Sequence, residues 1–190
     1  MEALLFSTGV VALAEIGDKT QLLAFILAAR FKKPVPIIAG IFCATVVNHG
    51  LAGALGAWIT SMVTPGAMRW VLGLSFLGMA AWTLIPDKIE EEETQIAKQF
   101  GVFGATLVTF FLAEMGDKTQ IATIALAAKF KDPVWVVVGT TLGMLLADIP
   151  AVFVGDRFAA KIPLKLVHGI AAAMFAVMGV LALLNVGNLL

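Results

Sequence analysis

Two stretches 99 residues apart decide how this chain folds: Ala14-Glu15-Ile16-Gly17-Asp18-Lys19-Thr20-Gln21 and Ala113-Glu114-Met115-Gly116-Asp117-Lys118-Thr119-Gln120. The match runs on without gaps through Leu27-Ala28-Ala29-Arg30-Phe31-Lys32-Lys33-Pro34-Val35 and Leu126-Ala127-Ala128-Lys129-Phe130-Lys131-Asp132-Pro133-Val134, and Gly40 coincides with Gly139. A fixed offset held over this length marks an internal duplication. Each acidic motif sits near the middle of an apolar stretch, Leu4–Ala29 in one copy and Val102–Ala128 in the other.

Four more apolar stretches, Val35–Val63, Met68–Ile85, Val134–Val154 and Leu164–Leu184, are separated by short breaks rich in Pro, Gly and charge. Of the 190 residues, 60% are hydrophobic and 14% charged, and the mean hydropathy is +0.97. Soluble domains carry about 25% charge, so too little polar surface is present to face water, and lipid is the expected solvent and partner. At roughly 20 residues per span, the expected fold is an all-α integral membrane protein of six transmembrane helices. The expected organisation is a three-helix repeat at 1–85, an acidic cytoplasmic linker at 86–100 and a second three-helix repeat at 101–190. An odd number of spans per half inverts the second half relative to the first, the plan of many secondary transporters. Val35–Val63 is long for one span, an excess that tilt or fraying near Trp58 would absorb.

Lys and Arg in the breaks set the orientation. With the N-terminus outside, the inner loops hold Arg30, Lys32, Lys33, Lys88, Lys98, Arg157, Lys161 and Lys165, and the outer loops hold only Arg69, Lys129 and Lys131. Both termini are expected on the non-cytoplasmic side. The first 20 residues lack the basic region and cleavage site of a signal peptide and read as part of the first span. The formal net charge is zero and no basic tract occurs, which argues against nucleic acid as a partner. Cys43 is the only cysteine, so disulfide frameworks, thiolate metal clusters and CxxC redox chemistry are excluded. Neither an enzyme nor a resident cofactor is expected.

Glu15, Asp18, Lys19, Glu114, Asp117 and Lys118 would cost roughly 15–20 kcal/mol if left unpaired at the bilayer centre. That exceeds a typical folding stability of about 5–15 kcal/mol, so they cannot face lipid. On one helix, Glu15–Lys19 and Glu114–Lys118 would be i,i+4 pairs. Gly17 and Gly116 weaken the helix where it can unwind and present carbonyls beside the carboxylates. Brought together, the two copies offer Glu15, Asp18, Glu114 and Asp117, with Thr20, Thr119, Gln21 and Gln120 as neutral oxygen donors. These are hard ligands, suited to Ca²⁺, Mn²⁺ or Mg²⁺. Four carboxylates and two lysines leave a charge that one divalent cation or two protons would balance, in mutually exclusive loadings. A structural lock of the two motif helices by Glu–Lys pairs is the plainer alternative, but it leaves each Asp unexplained. Thr and Gln serve equally well as helix–helix hydrogen-bonding groups.

At the same offset, Asn48 and His49 correspond to Ala147 and Asp148. Asp148, followed by Pro150, suggests a kinked helix with a polar inner face. His49 and Asp148 are candidate proton relays, and Lys19 and Lys118 are candidates for relay or charge balance. Glu90–Glu93 reads as a solvated acidic loop or a cation-gathering entrance. Gly73/Gly78 and Gly139/Gly143 read as close-packing positions, and Trp58, Trp70, Trp82 and Trp135 as interfacial anchors.

The paired Glu15-Ile16-Gly17-Asp18-Lys19-Thr20 and Glu114-Met115-Gly116-Asp117-Lys118-Thr119 resemble the E-x-G-D-[KR]-[TS] signature of an exchanger family. That family was once catalogued as uncharacterised protein family sixteen and includes Golgi and bacterial manganese/calcium transporters. The resemblance covers the whole chain, with the motif on the first and fourth of six helices and an acidic central loop. It implies a cation/proton antiporter exporting Mn²⁺ or Ca²⁺ from the cytosol, with the motif acids binding the metal. The compact length fits a bacterial inner-membrane member. The alternative reading from architecture is an amino-acid exporter, since some small six-helix exporters also have two three-helix halves.

Overall fold

The computed structural model describes residues 1–85, 101–154 and 164–185. Among these the protein is entirely helical, with eight helices: α1 (Glu2–Glu15), α2 (Lys19–Phe31), α3 (Pro34–Met62), α4 (Pro65–Thr83), α5 (Val102–Glu114), α6 (Lys118–Phe130), α7 (Pro133–Val154) and α8 (Leu164–Leu183). The expected linker at 86–100, with its Glu90–Glu93 run, lies outside the described residues, as do Arg157 and Lys161.

The two motif-bearing stretches are each a pair of helices. α1 stops at Glu15 and α2 starts at Lys19; α5 stops at Glu114 and α6 starts at Lys118. This corrects the expected Glu15–Lys19 and Glu114–Lys118 helix-face pairs. The break separates each Glu from its Lys, so helical spacing no longer brings them together. The far ends of α2 and α6 match as well. Lys32 and Lys131 take left-handed conformations (φ 52° and 53°) and return their N–H groups to the carbonyls of Ala28 and Ala127. Pro34 and Pro133 then open the next helices, where a missing N–H costs nothing.

α3 runs unbroken for 29 residues, about 43 Å at 1.5 Å per residue. It passes through Trp58 without fraying, which leaves tilt as the way to absorb the excess length. Among the described residues, three segments, Pro34–Met62, Pro133–Phe153 and Lys165–Leu183, are long and apolar enough to cross a membrane. α7 continues through Pro150 to Val154.

Side chains are distributed opposite to those of a water-soluble bundle. Leu51, Leu74, Leu146 and Val177 point outward and are more than half exposed, whereas Glu15, Thr45, Asn48, His49, Thr109, Glu114, Thr119 and Asp148 have no exposure at all. An apolar exterior around a polar interior is stable where the surrounding solvent is hydrocarbon. Trp58, Trp70 and Trp135 lie exposed near helix ends.

The duplication extends to packing. α1 packs chiefly on α7, and its counterpart α5 packs chiefly on α3, so each half grips the other. A Cβ on Gly40 would meet Thr106 and the Phe103 carbonyl, while one on Gly139 would meet Ser7 and the Leu4 carbonyl at 2.5 Å. Phe103/Leu4 and Thr106/Ser7 are themselves 99 residues apart, so the two contacts are copies of each other. α4 and α8 complete the pattern: Phe76 stacks on its own counterpart Phe175, centroids 6.4 Å apart and planes 19° from parallel. Gly73 is closed in by Leu183 and Gly179, and Gly143 by Thr8 and Val11, but nothing lies within 4 Å of a Cβ on Gly78. Gly78 is therefore not a close-packing position, contrary to expectation.

Gly139→Val forces α1 and α7 apart and should cost about 1–3 kcal/mol, read as a lowered thermal midpoint of detergent-solubilised protein. Gly78→Ala, with open space around it, should leave that midpoint unchanged or raise it.

Candidate functional site

The break in each motif is a tight turn of defined geometry. Asp18 N–H donates to the Glu15 carbonyl (3.0 Å) and Asp117 N–H to the Glu114 carbonyl (3.2 Å). Between them Ile16 lies at φ −63°, ψ 113° and Gly17 at φ +85°, while Met115 lies at φ −67°, ψ 118° and Gly116 at φ +78°. These are the values of a type II turn, whose third residue needs positive φ and is therefore glycine. The motif glycine is thus a stereochemical requirement of the turn.

The Thr and Gln of each motif tie the broken ends together. Thr20 Oγ1 donates to Glu15 Oε2 (2.7 Å) and Thr119 Oγ1 to Glu114 Oε2 (2.8 Å). Gln21 Oε1 accepts from Gly17 N–H (2.9 Å) and Gln120 Oε1 from Gly116 N–H (2.8 Å), much as a capping-box residue reaches back across a helix start. One lone pair of each amide oxygen is therefore committed to the turn. Asp18 and Asp117 occupy the N-cap positions of α2 and α6, yet neither carboxylate caps its helix. Asp18 instead reaches into the other half, where Lys118 Nζ lies 2.9 Å from Oδ1.

The two halves therefore meet at their motifs. Glu15 lies in the electrostatic field of Glu114, Asp148 and Asp117, and Glu114 in that of Asp117, Asp18 and Asp148. All five acids are at most 4% exposed. One oxygen of Glu15, one of Glu114 and both of Asp148 are buried without a hydrogen-bond partner among the described residues. Among the same residues, no three His, Cys, Asp or Glu side chains form a closed group able to hold a metal ion. The acids share one interior without being drawn to coordination distance.

Of the other residues singled out by sequence, Lys118, Thr20, Thr119 and Gln21 are buried, while Lys19 and Gln120 are half-buried. The motif lysines are thus not equivalent. His49 is fully buried on α3, with neither ring nitrogen hydrogen-bonded among the described residues. Its neighbour Asn48 donates to the Phe111 carbonyl of α5 (3.0 Å), and at the matching position of the other half the Ala147 carbonyl accepts from Gln21 Nε2 (2.9 Å). Sequence reading missed His168, whose Nε2 is 2.8 Å from the Ile16 carbonyl. The signal for it was the same 99-residue offset, which makes His168 the counterpart of Arg69.

A duplicated set of buried carboxylates and neutral oxygen groups thus lies between two matched halves. The divalent cation/proton antiporter GDT1 family matches residues 3–91 and 102–188. The chain belongs to this family. It is 52% identical over 179 residues to a provisionally named manganese exporter of Vibrio cholerae, an alignment covering 94% of this chain and 88% of that protein. It is also 30% identical to GDT1-like protein 3 of rice, over 92% of this chain and 71% of that one, and 30% identical to a GDT1-like protein of Synechocystis, over 88% and 91%. No solved structure matches the chain. The GDT1 family is one of membrane transporters, not an enzyme class, so the long apolar helices are transmembrane and the substrate class is the divalent cation.

Lys118→Met removes the ammonium beside the buried Asp18 carboxylate and should cost about 3–5 kcal/mol. The double variant Asp18→Asn with Lys118→Met should recover most of that loss, while Lys19→Met should cost far less, all read from thermal unfolding in detergent. Equal losses for the two lysine variants would contradict the asymmetry.

Proposed function

We propose that the protein is a secondary antiporter that exports Mn²⁺ and/or Ca²⁺ from the cytosol in exchange for protons. The observation that carries this reading is the joint burial of Glu15, Asp18, Glu114, Asp117 and Asp148 with one wholly buried ammonium among the described residues, Lys118. A cluster so short of positive charge in a low-dielectric interior takes up either a divalent cation or protons, and loading one expels the other. Glu15, Glu114, Asp18 and Asp117 are the metal ligands of this reading, with Thr20, Thr119, Gln21 and Gln120 holding the acids in place or adding a neutral oxygen. Lys118 holds part of the charge while the cation is away, and Asp148 carries protons. Lys19 and His49 are further candidates for charge balance and proton passage.

The reading includes a six-span topology in which α1–α2 and α5–α6 are the first and fourth spans, each broken at mid-membrane. It makes residues 1–85 and 101–190 two inverted repeats, with 86–100 as the cytoplasmic linker. In this reading the protein lies in the inner membrane of a bacterium with both termini outside the cytoplasm, an orientation supported by the excess of Lys and Arg in the loops on one side. The 52% identity to a provisionally named manganese exporter supports Mn²⁺ as a cargo.

Purified protein in liposomes should accumulate Mn²⁺ or Ca²⁺ when a proton gradient is imposed, and a protonophore should abolish the uptake. Glu15→Gln and Glu114→Gln should each reduce it to background. Full uptake in both variants would sink the site assignment. Gradient-driven efflux of a basic amino acid, insensitive to metal, would favour the amino-acid exporter instead.

A further inference from the structure

The two halves carry the same chemistry but are not in the same state. At the first motif, His168 of α8 sits on the Ile16 carbonyl at 2.8 Å. Ile16 and Gly17 are half-buried there, and α8 packs against α1. At the second motif, Met115 has the same extended backbone as Ile16, yet it is 53% exposed and Gly116 is exposed as well.

The residue equivalent to His168 in the first half is Arg69 on α4. The offset of 99 that pairs Phe76 with Phe175, in direct contact, and Met79 with Met178, both buried, also pairs Arg69 with His168. Arg69 lies beside Trp70, its guanidinium carbon 5.7 Å from the ring centroid, and its buried Nε has no hydrogen-bond partner among the described residues. α4 leans on α6, beyond the second turn, rather than on α5 in the way that α8 leans on α1. One donor is therefore engaged and its counterpart is held back.

We propose that His168 and Arg69 are reciprocal latches on the two motif turns. In the state described, His168 holds the first turn shut against α8 while the second turn stands open. In the opposite state α8 releases Ile16, and Arg69 donates to the Met115 carbonyl. Both side chains are positioning residues, since each acts on a backbone carbonyl of the turn that carries the acids. A pair of equivalent devices, one closed and one open, provides the two-state element that alternating access between matched halves requires. The latch rests on the antiporter reading for its purpose, but its geometry is testable without transport.

In a Cys43→Ser background, Ile16→Cys and Met115→Cys report on the two turns through labelling by a membrane-impermeant maleimide on protein in liposomes. Met115→Cys should label faster than Ile16→Cys. His168→Ala should raise the Ile16→Cys rate about fivefold, the size expected for loss of one hydrogen bond, and lower the Met115→Cys rate. Arg69→Ala should shift both rates in the opposite sense, and His168→Gln, which keeps a donor, should restore the original pattern. His168→Ala and Arg69→Ala should also lower maximal Mn²⁺ uptake while leaving equilibrium Mn²⁺ binding intact, a split that a folding defect does not produce. Labelling rates unchanged in both variants, or moved only by His168→Ala, would overturn the proposal. Wild-type protein that labels as expected but moves no divalent cation would overturn the antiporter reading and leave the latch standing.

Discussion

Glu15, Asp18, Glu114, Asp117 and Asp148 are buried in a protein whose outer surface is apolar, and the rest of the architecture follows from that constraint. Each charge so placed costs several kcal/mol unless something compensates it. An unbroken helix pairs its own N–H and C=O groups and has none to spare for carboxylates or cations. Breaking it at a type II turn frees backbone groups, and the motif side chains stabilise the break: Thr20 and Thr119 bind the Glu carboxylates, and Gln21 and Gln120 take up the glycine N–H groups. The six-residue signature is a local solution to the problem of ending and restarting a helix around a buried acid.

Two such turns are useful only when they face one another. The cross-packing of α1 on α7 and α5 on α3 brings them together, and the paired glycines Gly40 and Gly139 let the backbones approach closely enough for it. Small residues serve this purpose well in membranes, where helix association depends on close packing and hydrogen bonds. Lys118 joins the halves at the site through Asp18, and among the described residues the half-buried Lys19 makes no equal pair. A duplicated sequence has therefore settled into an unequal pair of sites. That inequality suits a transporter, because two identical half-sites in identical states would offer the ion no preferred side.

Much of this was legible beforehand. The offset of 99 residues pointed to the two motifs and to Asn48 with Ala147 as matched positions, and the spacing of small residues pointed to Gly139 as a packing glycine. Gly17 and Gly116 pointed to a break in the helix. The i,i+4 pairing of Glu with Lys failed for the same reason that the glycine expectation succeeded, since a chain that unwinds at Gly17 no longer has helical spacing across it. Gly78 failed because spacing alone does not reveal which helix face meets a neighbour. His168 escaped notice because a lone histidine near the start of an apolar stretch has no local signature, and its partner is a backbone carbonyl 152 residues away.

The amino-acid sequence alone determined the helical class, the lipid environment, the duplication and the identity of the acidic set, because these depend on composition, period and local stereochemistry. Tertiary structure alone decided which acid met which lysine, which glycines admitted a neighbouring backbone, and that one motif turn was covered while the other stood open. Those choices depend on contacts between helices far apart in the chain. Two copies of nearly the same octapeptide encode equal local preferences, and only the packing around them makes them differ.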